Sequence, residues 1–172
     1  MTEAAQVTLE AVLESKEARA ARQKALLKQY GGSLASITVN LPGPNKDRPE
    51  ALALVRYAVS TLAELFEAVF QETQALVTGP IGFVCCSAPA EVLKRAAVAI
   101  EETGSFGRLL DIDVFAETGV LLSRGEEAKF KRRCFLCDQP ALVCMRERRH
   151  RPEELEAAVQ IMFRDFSCHN MA

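Results

Sequence analysis

Gly107-Arg108-Leu109-Leu110-Asp111-Ile112-Asp113-Val114 sets two carboxylates two residues apart inside an apolar run. In an extended strand, residues i and i+2 share a face. Asp111 and Asp113 then project together, while Leu110, Ile112 and Val114 face the other way into a core. Side-by-side carboxylates repel, and burying them unpaired is costly. A divalent cation relieves that repulsion. Mg²⁺ or Mn²⁺ on one or two carboxylates completes its shell with water and substrate phosphates. The pair reads either as a metal site for transferring a phosphate-containing group, or as the solvated side of a half-buried strand.

Working outward, a turn at Glu117-Thr118-Gly119 follows the Asp strand, then a short partner strand over residues 120–123. Upstream, residues 90–103 predict a helix with Leu93, Ala96, Ala97 and Ile100 on one face. Residues 74–78 and 81–87 predict two strands around Gly79-Pro80. Leu52, Val55, Val59, Leu62, Phe66 and Val69 step by three and four along a helix opened by Asp47 and Glu50 as a variant capping box. Before it lie the rigid loop Pro42-Gly43-Pro44-Asn45-Lys46 and a strand over residues 34–41, where Ile37, Val39 and Leu41 alternate with polar residues. A first helix spans residues 8–30, with room for a break near Ser15, and stops at Gly31-Gly32.

The order from the second element on is strand, helix, two strands, helix, strand. It predicts an α+β fold, a ferredoxin-like antiparallel sheet with helices packed on it. The sheet's second face is left for substrate or the first helix. Three stretches follow: residues 1–32 an N-terminal helical segment, 33–125 a catalytic α+β core, and 126–172 a basic Cys/His segment. The last closes with a helix opening at Pro152, with Leu155, Val159, Met162 and Phe166 as its apolar stripe.

With 172 residues, 49% hydrophobic and a net charge of −2, the chain has an ordinary globular profile. Nothing global favours nucleic acid, and the absence of Trp weakens a base-stacking reader. No apolar run is long enough to span a bilayer, and the first residues lack a signal-peptide pattern, so the expected location is the cytoplasm. The six cysteines are then expected to be reduced, metal-bound or catalytic. Cys85 and Cys86, adjacent in a strand, face opposite ways as packing residues.

Cys134, Cys137, Cys144 and His150 follow the spacing C-x2-C-x6-C-x5-H. Structural Zn²⁺ commonly takes Cys₃His, and nearby Lys and Arg favour thiolates. The alternative is three small hydrophobes in a reduced core. Lys46, Arg108 and Arg124 could converge beside the acidic pair to neutralise a polyphosphate, against the usual fate of surface salt bridging. The run Lys131-Arg132-Arg133 reads as phosphate binding, acidic-protein docking or a solvated face. Arg19, Arg22 and Lys28 on the first helix read as solvated.

Taken together, Gly107-Arg108, Asp111, Asp113, Leu122-Ser123-Arg124, Arg132-Arg133-Cys134, Cys137, Cys144 and His150 resemble one family. It is the citrate lyase holo-[acyl-carrier protein] synthase family, also called apo-citrate lyase phosphoribosyl-dephospho-CoA transferase. The resemblance continues in Arg19, Arg22-Gln23, Pro42-Gly43-Pro44, Lys46-Asp47, Ala88-Pro89 and Lys94. It implies transfer of a 5''-phosphoribosyl-dephospho-CoA group from its 5''-triphosphate precursor, triphosphoribosyl-dephospho-CoA. The acceptor is a serine of the apo acyl-carrier subunit of citrate lyase, and diphosphate leaves. It implies catalytic roles for Asp111, Asp113 and Arg108. Lys46, Arg108, Arg124, Arg132 and Arg133 would hold substrate, and the basic groups, with Arg146, Arg148 and Arg149, would face an acidic carrier. Two other readings stand beside it: a pyrophosphokinase-like polyphosphate transferase, on a weaker likeness of strand order, and a non-enzymatic zinc-bearing binding protein.

Overall fold

Four strands, β1 (Ser33–Val39), β2 (Phe70–Gln74), β3 (Ile81–Cys86) and β4 (Leu110–Phe115), form one antiparallel sheet in the order β2-β3-β1-β4. Among the described residues five helices accompany it: α1 (Leu9–Tyr30), α2 (Pro49–Leu65), α3 (Ala90–Glu101), α4 (Ala141–Glu147) and α5 (Pro152–Asn170). A 3-10 turn, Phe106–Leu109, leads into β4. The computed structural model describes residues 8–123 and 133–171, so Arg124, Lys131 and Arg132 lie outside the described residues.

The period-2 pattern divides the sheet cleanly. Ala35, Ile37, Val84, Ile112 and Val114 face one main core, which takes Leu54, Val55 and Leu62 from α2, Leu93 and Ala97 from α3, and Val159, Met162 and Phe166 from α5. Each such large side chain, fully buried, contributes about 1.5–3 kcal/mol. A Cβ on Gly82 would come within 2.4 Å of Val59, so α2 lies directly on the strand backbone there. On the opposite face, Leu26 and Leu27 of α1 pack on Leu34, Phe83 and Cys85, with Phe70 and Phe115 at the margins. Cys85 and Cys86 are both buried, one on each face, as their adjacency predicts. Burial pushes the Cys85 thiol up to about 11.

Several local expectations are corrected. α1 runs unbroken past Ser15, whose hydroxyl bonds that of Thr78 at 2.8 Å. The Asp47/Glu50 capping box does not form: Arg48 is the N-cap, no side chain caps the helix, and Pro49 opens it. Arg48 instead turns inward and donates to both carboxylate oxygens of Glu156 on α5, at 2.7 and 2.8 Å. α2 ends at Leu65, not at Val69, which is exposed. Glu67 adopts φ 48°, the chain reverses, and β2 begins at Phe70, earlier than the predicted 74. The polar sequence Gln71-Glu72-Thr73-Gln74 concealed it. Residues 120–123 form only a bridge, Phe115 to Leu121, rather than a strand.

β4 is an edge strand, yet its outer side is closed. The Ile112 N–H donates to buried Glu101 at 2.8 Å, and Lys94 donates to the Ile112 carbonyl at 3.0 Å. The Leu122 N–H caps the Val114 carbonyl.

Candidate active site and Cys/His cluster

The register fixes the surroundings of the acidic pair. Asp113 lies opposite Ser36 and Asp111 opposite Thr38, and Ser36 in turn lies opposite Phe83 of β3. Asp111 and Asp113 are half-buried, whereas Leu110, Ile112 and Val114 are within 1% of complete burial. The carboxylates share the sheet face on which α1 lies, with Ser36 and Thr38 beside them on β1.

α1 forms the wall next to them. Gln23 donates to the Ser36 hydroxyl at 2.9 Å. Arg22 is not simply solvated, as the sequence suggested: it donates to Glu72 of β2 at 2.7 and 3.0 Å and lies over the Phe70 ring. Burial pushes the Glu72 carboxyl up, but bonds from Gln74 and Arg22 outweigh it and hold the group below the usual range. The sequence marked Arg22-Gln23 only through the family resemblance and read Arg22 as solvated; their partners on β2 and β1 lie too far along the chain for a local pattern to show.

Lys46 sits at the Asp111 end of the sheet. Its stem lies near Gly79 and its ammonium donates to the Leu41 carbonyl. Burial, with the Arg48 charge, lowers its pKa. Arg108 leaves the 3-10 turn and reaches the cysteine segment, donating through Nη2 to the carbonyls of Cys134 at 2.7 Å and Arg133 at 3.3 Å, over the Phe135 ring. Its Nη1 and Nε have no acceptor among the described residues. Arg133 is exposed and pairs with Asp138 at 3.3 Å. Arg108 therefore ties the Asp strand, which starts two residues later, to the cysteine segment.

In that segment the four sequence-predicted ligands meet. One ligand atom from each of Cys134, Cys137, Cys144 and His150 lies within 4.8 Å of all the others. Cys137 Sγ is 3.4 Å from Cys144 Sγ and 3.3 Å from His150 Nε2. The Cys134 N–H bonds the Gln139 carbonyl, closing the loop, and α4 carries Cys144 inward. Burial raises the Cys134 thiol, but N–H donors of Leu136 and Cys137 overcome this and lower it. Cys144 is pushed up to about 12 by burial and the neighbouring thiols. Backbone donors to one sulfur, and sulfur and nitrogen ligands at this spacing, fit a soft or borderline metal ion. Tetrahedral Zn–S bonds of about 2.3 Å give sulfur–sulfur separations of about 3.8 Å, close to those seen.

His169, which carried no signal in sequence, packs by its ring against Tyr57 and Phe106. No helix among the described residues is long and apolar enough to cross a membrane.

Comparison with known proteins points the same way. Residues 7–166 match the family model described as apo-citrate lyase phosphoribosyl-dephospho-CoA transferase. A Vibrio cholerae serotype O1 protein, named as a probable apo-citrate lyase phosphoribosyl-dephospho-CoA transferase, is 37% identical over 168 residues, 94% of each chain. An Escherichia coli O1:K1 protein bearing that name without the qualifier is 36% identical over 170 residues, 96% of this chain and 93% of its own.

Proposed function

The chain belongs to the apo-citrate lyase phosphoribosyl-dephospho-CoA transferase family, and from that premise we propose how its residues divide the work. It is a transferase that installs the prosthetic group on the acyl carrier of citrate lyase. The single observation supporting a site for that reaction is the paired Asp111 and Asp113 on the sheet face beside α1. The sheet order β2-β3-β1-β4 supports the ferredoxin-like description of this scaffold.

The carboxylate and hydroxyl oxygens there suit a hard cation such as Mg²⁺ or Mn²⁺. Such an ion supplies charge stabilisation to the phosphoryl group being transferred and to the departing diphosphate. Asp111 and Asp113 hold it, fixed by the buried alternate residues of β4. Lys46 and the unused donors of Arg108 bind the oxygens of the triphosphate. Arg133, which is exposed, adds positive charge for the substrate, and Arg124 and Arg132 are assigned the same role from sequence alone, since they lie outside the described residues. The acceptor is a serine of the apo acyl-carrier subunit, whose oxygen attacks the α-phosphorus of triphosphoribosyl-dephospho-CoA in line with the leaving diphosphate. Cys134, Cys137, Cys144 and His150 would hold a Zn²⁺ in a structural role, since four protein ligands would leave no open position.

A transfer assay tests this. Protein, apo carrier, triphosphoribosyl-dephospho-CoA and Mg²⁺ are mixed, and intact carrier mass is read. A serine-linked gain with the wild type and none with Asp111→Asn or Asp113→Asn is expected. Full transfer by both variants would remove the acidic pair from the reaction.

A further inference from the structure

α4 has two opposed sides. Cys144 points inward to the ligand cluster and is 5% exposed. Leu142, Met145 and Arg146, spaced three and four apart, share the other side of the helix. Leu142 is 44% and Met145 69% exposed. Leu136, at the tip of the cysteine loop, is 41% exposed. Burying these side chains in the core would require turning Cys144 away from its partner ligands. The Cys/His cluster thus keeps the apolar side facing outward.

The charge around this patch is unlike that of the chain. Between residues 133 and 151 stand Arg133, Arg146, Arg148, Arg149 and Arg151 against Asp138 and Glu147, a net of +3 in a protein whose net charge is −2. Arg133 and Arg149 have acidic neighbours, Asp138 and Glu147. Arg146 and Arg148 have no acidic partner among the described residues. Exposed apolar side chains including Met, in an arginine-rich segment, have the composition of a protein interface. Its complement is an acidic surface with a small apolar patch.

We infer that α4 and the cysteine loop form the docking surface for the acyl-carrier subunit, which would meet it with an acidic face bearing a small apolar patch. The inference rests on the functional reading above and gives its protein substrate a place to sit. Leu136, Leu142 and Met145 enter the carrier's apolar patch. Arg146 and Arg148 meet its carboxylates and steer its approach. Arg108 holds this surface by the Cys134 carbonyl, three residues before Asp111, so a carrier seated here sits beside the strand bearing the acidic pair.

The test uses the full-length, zinc-loaded chain and labelled apo carrier, with binding read by fluorescence anisotropy at low and high salt. Two variants serve, Leu142→Ser/Met145→Ser and Arg146→Glu/Arg148→Glu, each checked for zinc content and thermal midpoint. Both should weaken carrier binding and raise KM for carrier by about tenfold or more, leaving KM for the triphosphate donor unchanged. The loss in the charge variant should shrink at high salt, and the loss in the apolar variant should persist. Unaltered carrier affinity in two folded, zinc-loaded variants overturns the inference. So does a variant that converts a self-associated chain to monomer while carrier binding holds, because the patch then serves a second copy of this chain. A wild type that transfers nothing to a competent carrier sinks the functional reading itself. Wild-type transfer with unaffected variants sinks only the docking surface.

Discussion

β4 and the cysteine segment hold their chemistry in opposite ways. β4 is fixed by burial: Leu110, Ile112 and Val114 are at most 1% exposed, and their alternation alone aims Asp111 and Asp113 outward. In residues 133–151 the only buried side chains are Cys134 and Cys144, themselves ligands. That segment has little apolar burial of its own beyond Phe135 at the margin of the main core, so the proposed metal coordination would supply most of its order. On the roles proposed above, the difference separates rigid placement of reacting groups, which a packed core provides, from display of a surface, for which four ligands would suffice.

The sharpest way to break this division is at the carboxylates. Asp113→Asn should lower kcat by about a thousandfold or more, a loss of the size seen when charge-stabilising groups are removed, with the thermal midpoint nearly unchanged. A modest loss of activity with a large loss of stability would mean the pair is structural. Next comes metal removal. A strong chelator, or Cys137→Ser, should release one equivalent of zinc and open residues 133–151 to protease. Far-ultraviolet circular dichroism should still report the folded sheet. Collapse of the whole domain would show that the two regions are not independent.

A smaller effect is expected where the regions join. A Cβ on Gly107 would approach the Ile100 and Glu101 carbonyls to 2.5 and 2.7 Å. Gly107→Ala should therefore cost about 1–3 kcal/mol in chemical denaturation and displace Arg108 with it. The smallest concerns Glu156. A hydrogen bond from Arg48, joined by Gln160, holds its carboxyl below the usual carboxylate range. The stability this gives is present above the unfolded pKa of about 4.3 and is lost as pH falls through the folded value. Glu156 is 42% exposed, so after solvent screening Glu156→Gln should cost about 1 kcal/mol at neutral pH. The cost should vanish in acid, and a penalty equal at both pH values would assign it to packing.

What could be read from the sequence followed the same division. The face of the Asp pair was legible because three apolar residues alternate with it. The Cys/His cluster was legible because cysteine spacing in a short segment survives without knowledge of the fold. β2 was misplaced because Phe70 is the only apolar residue of that strand, so no alternation announced it. The start of α2 was misread because Asp47 and Glu50 fit a cap locally, while Arg48 and Pro49 decide the turn and Arg48 answers to Glu156, 108 residues away. The place of Arg22 and Gln23 depended on strands β2 and β1, and no local pattern reveals a long-range partner.

The closed outer side of β4 bears on turnover. An edge strand with open N–H and C=O groups invites another chain to add as a strand, and such adhesion is hard to reverse. Glu101 and Lys94 satisfy the Ile112 groups, and the chain at Leu122 caps Val114. A protein that must modify one partner, let it go and accept the next gains from having no such adhesive margin beside its reacting residues. On the docking proposed above, the carrier would be met through side chains, and the modified product would leave without a backbone ladder to unzip.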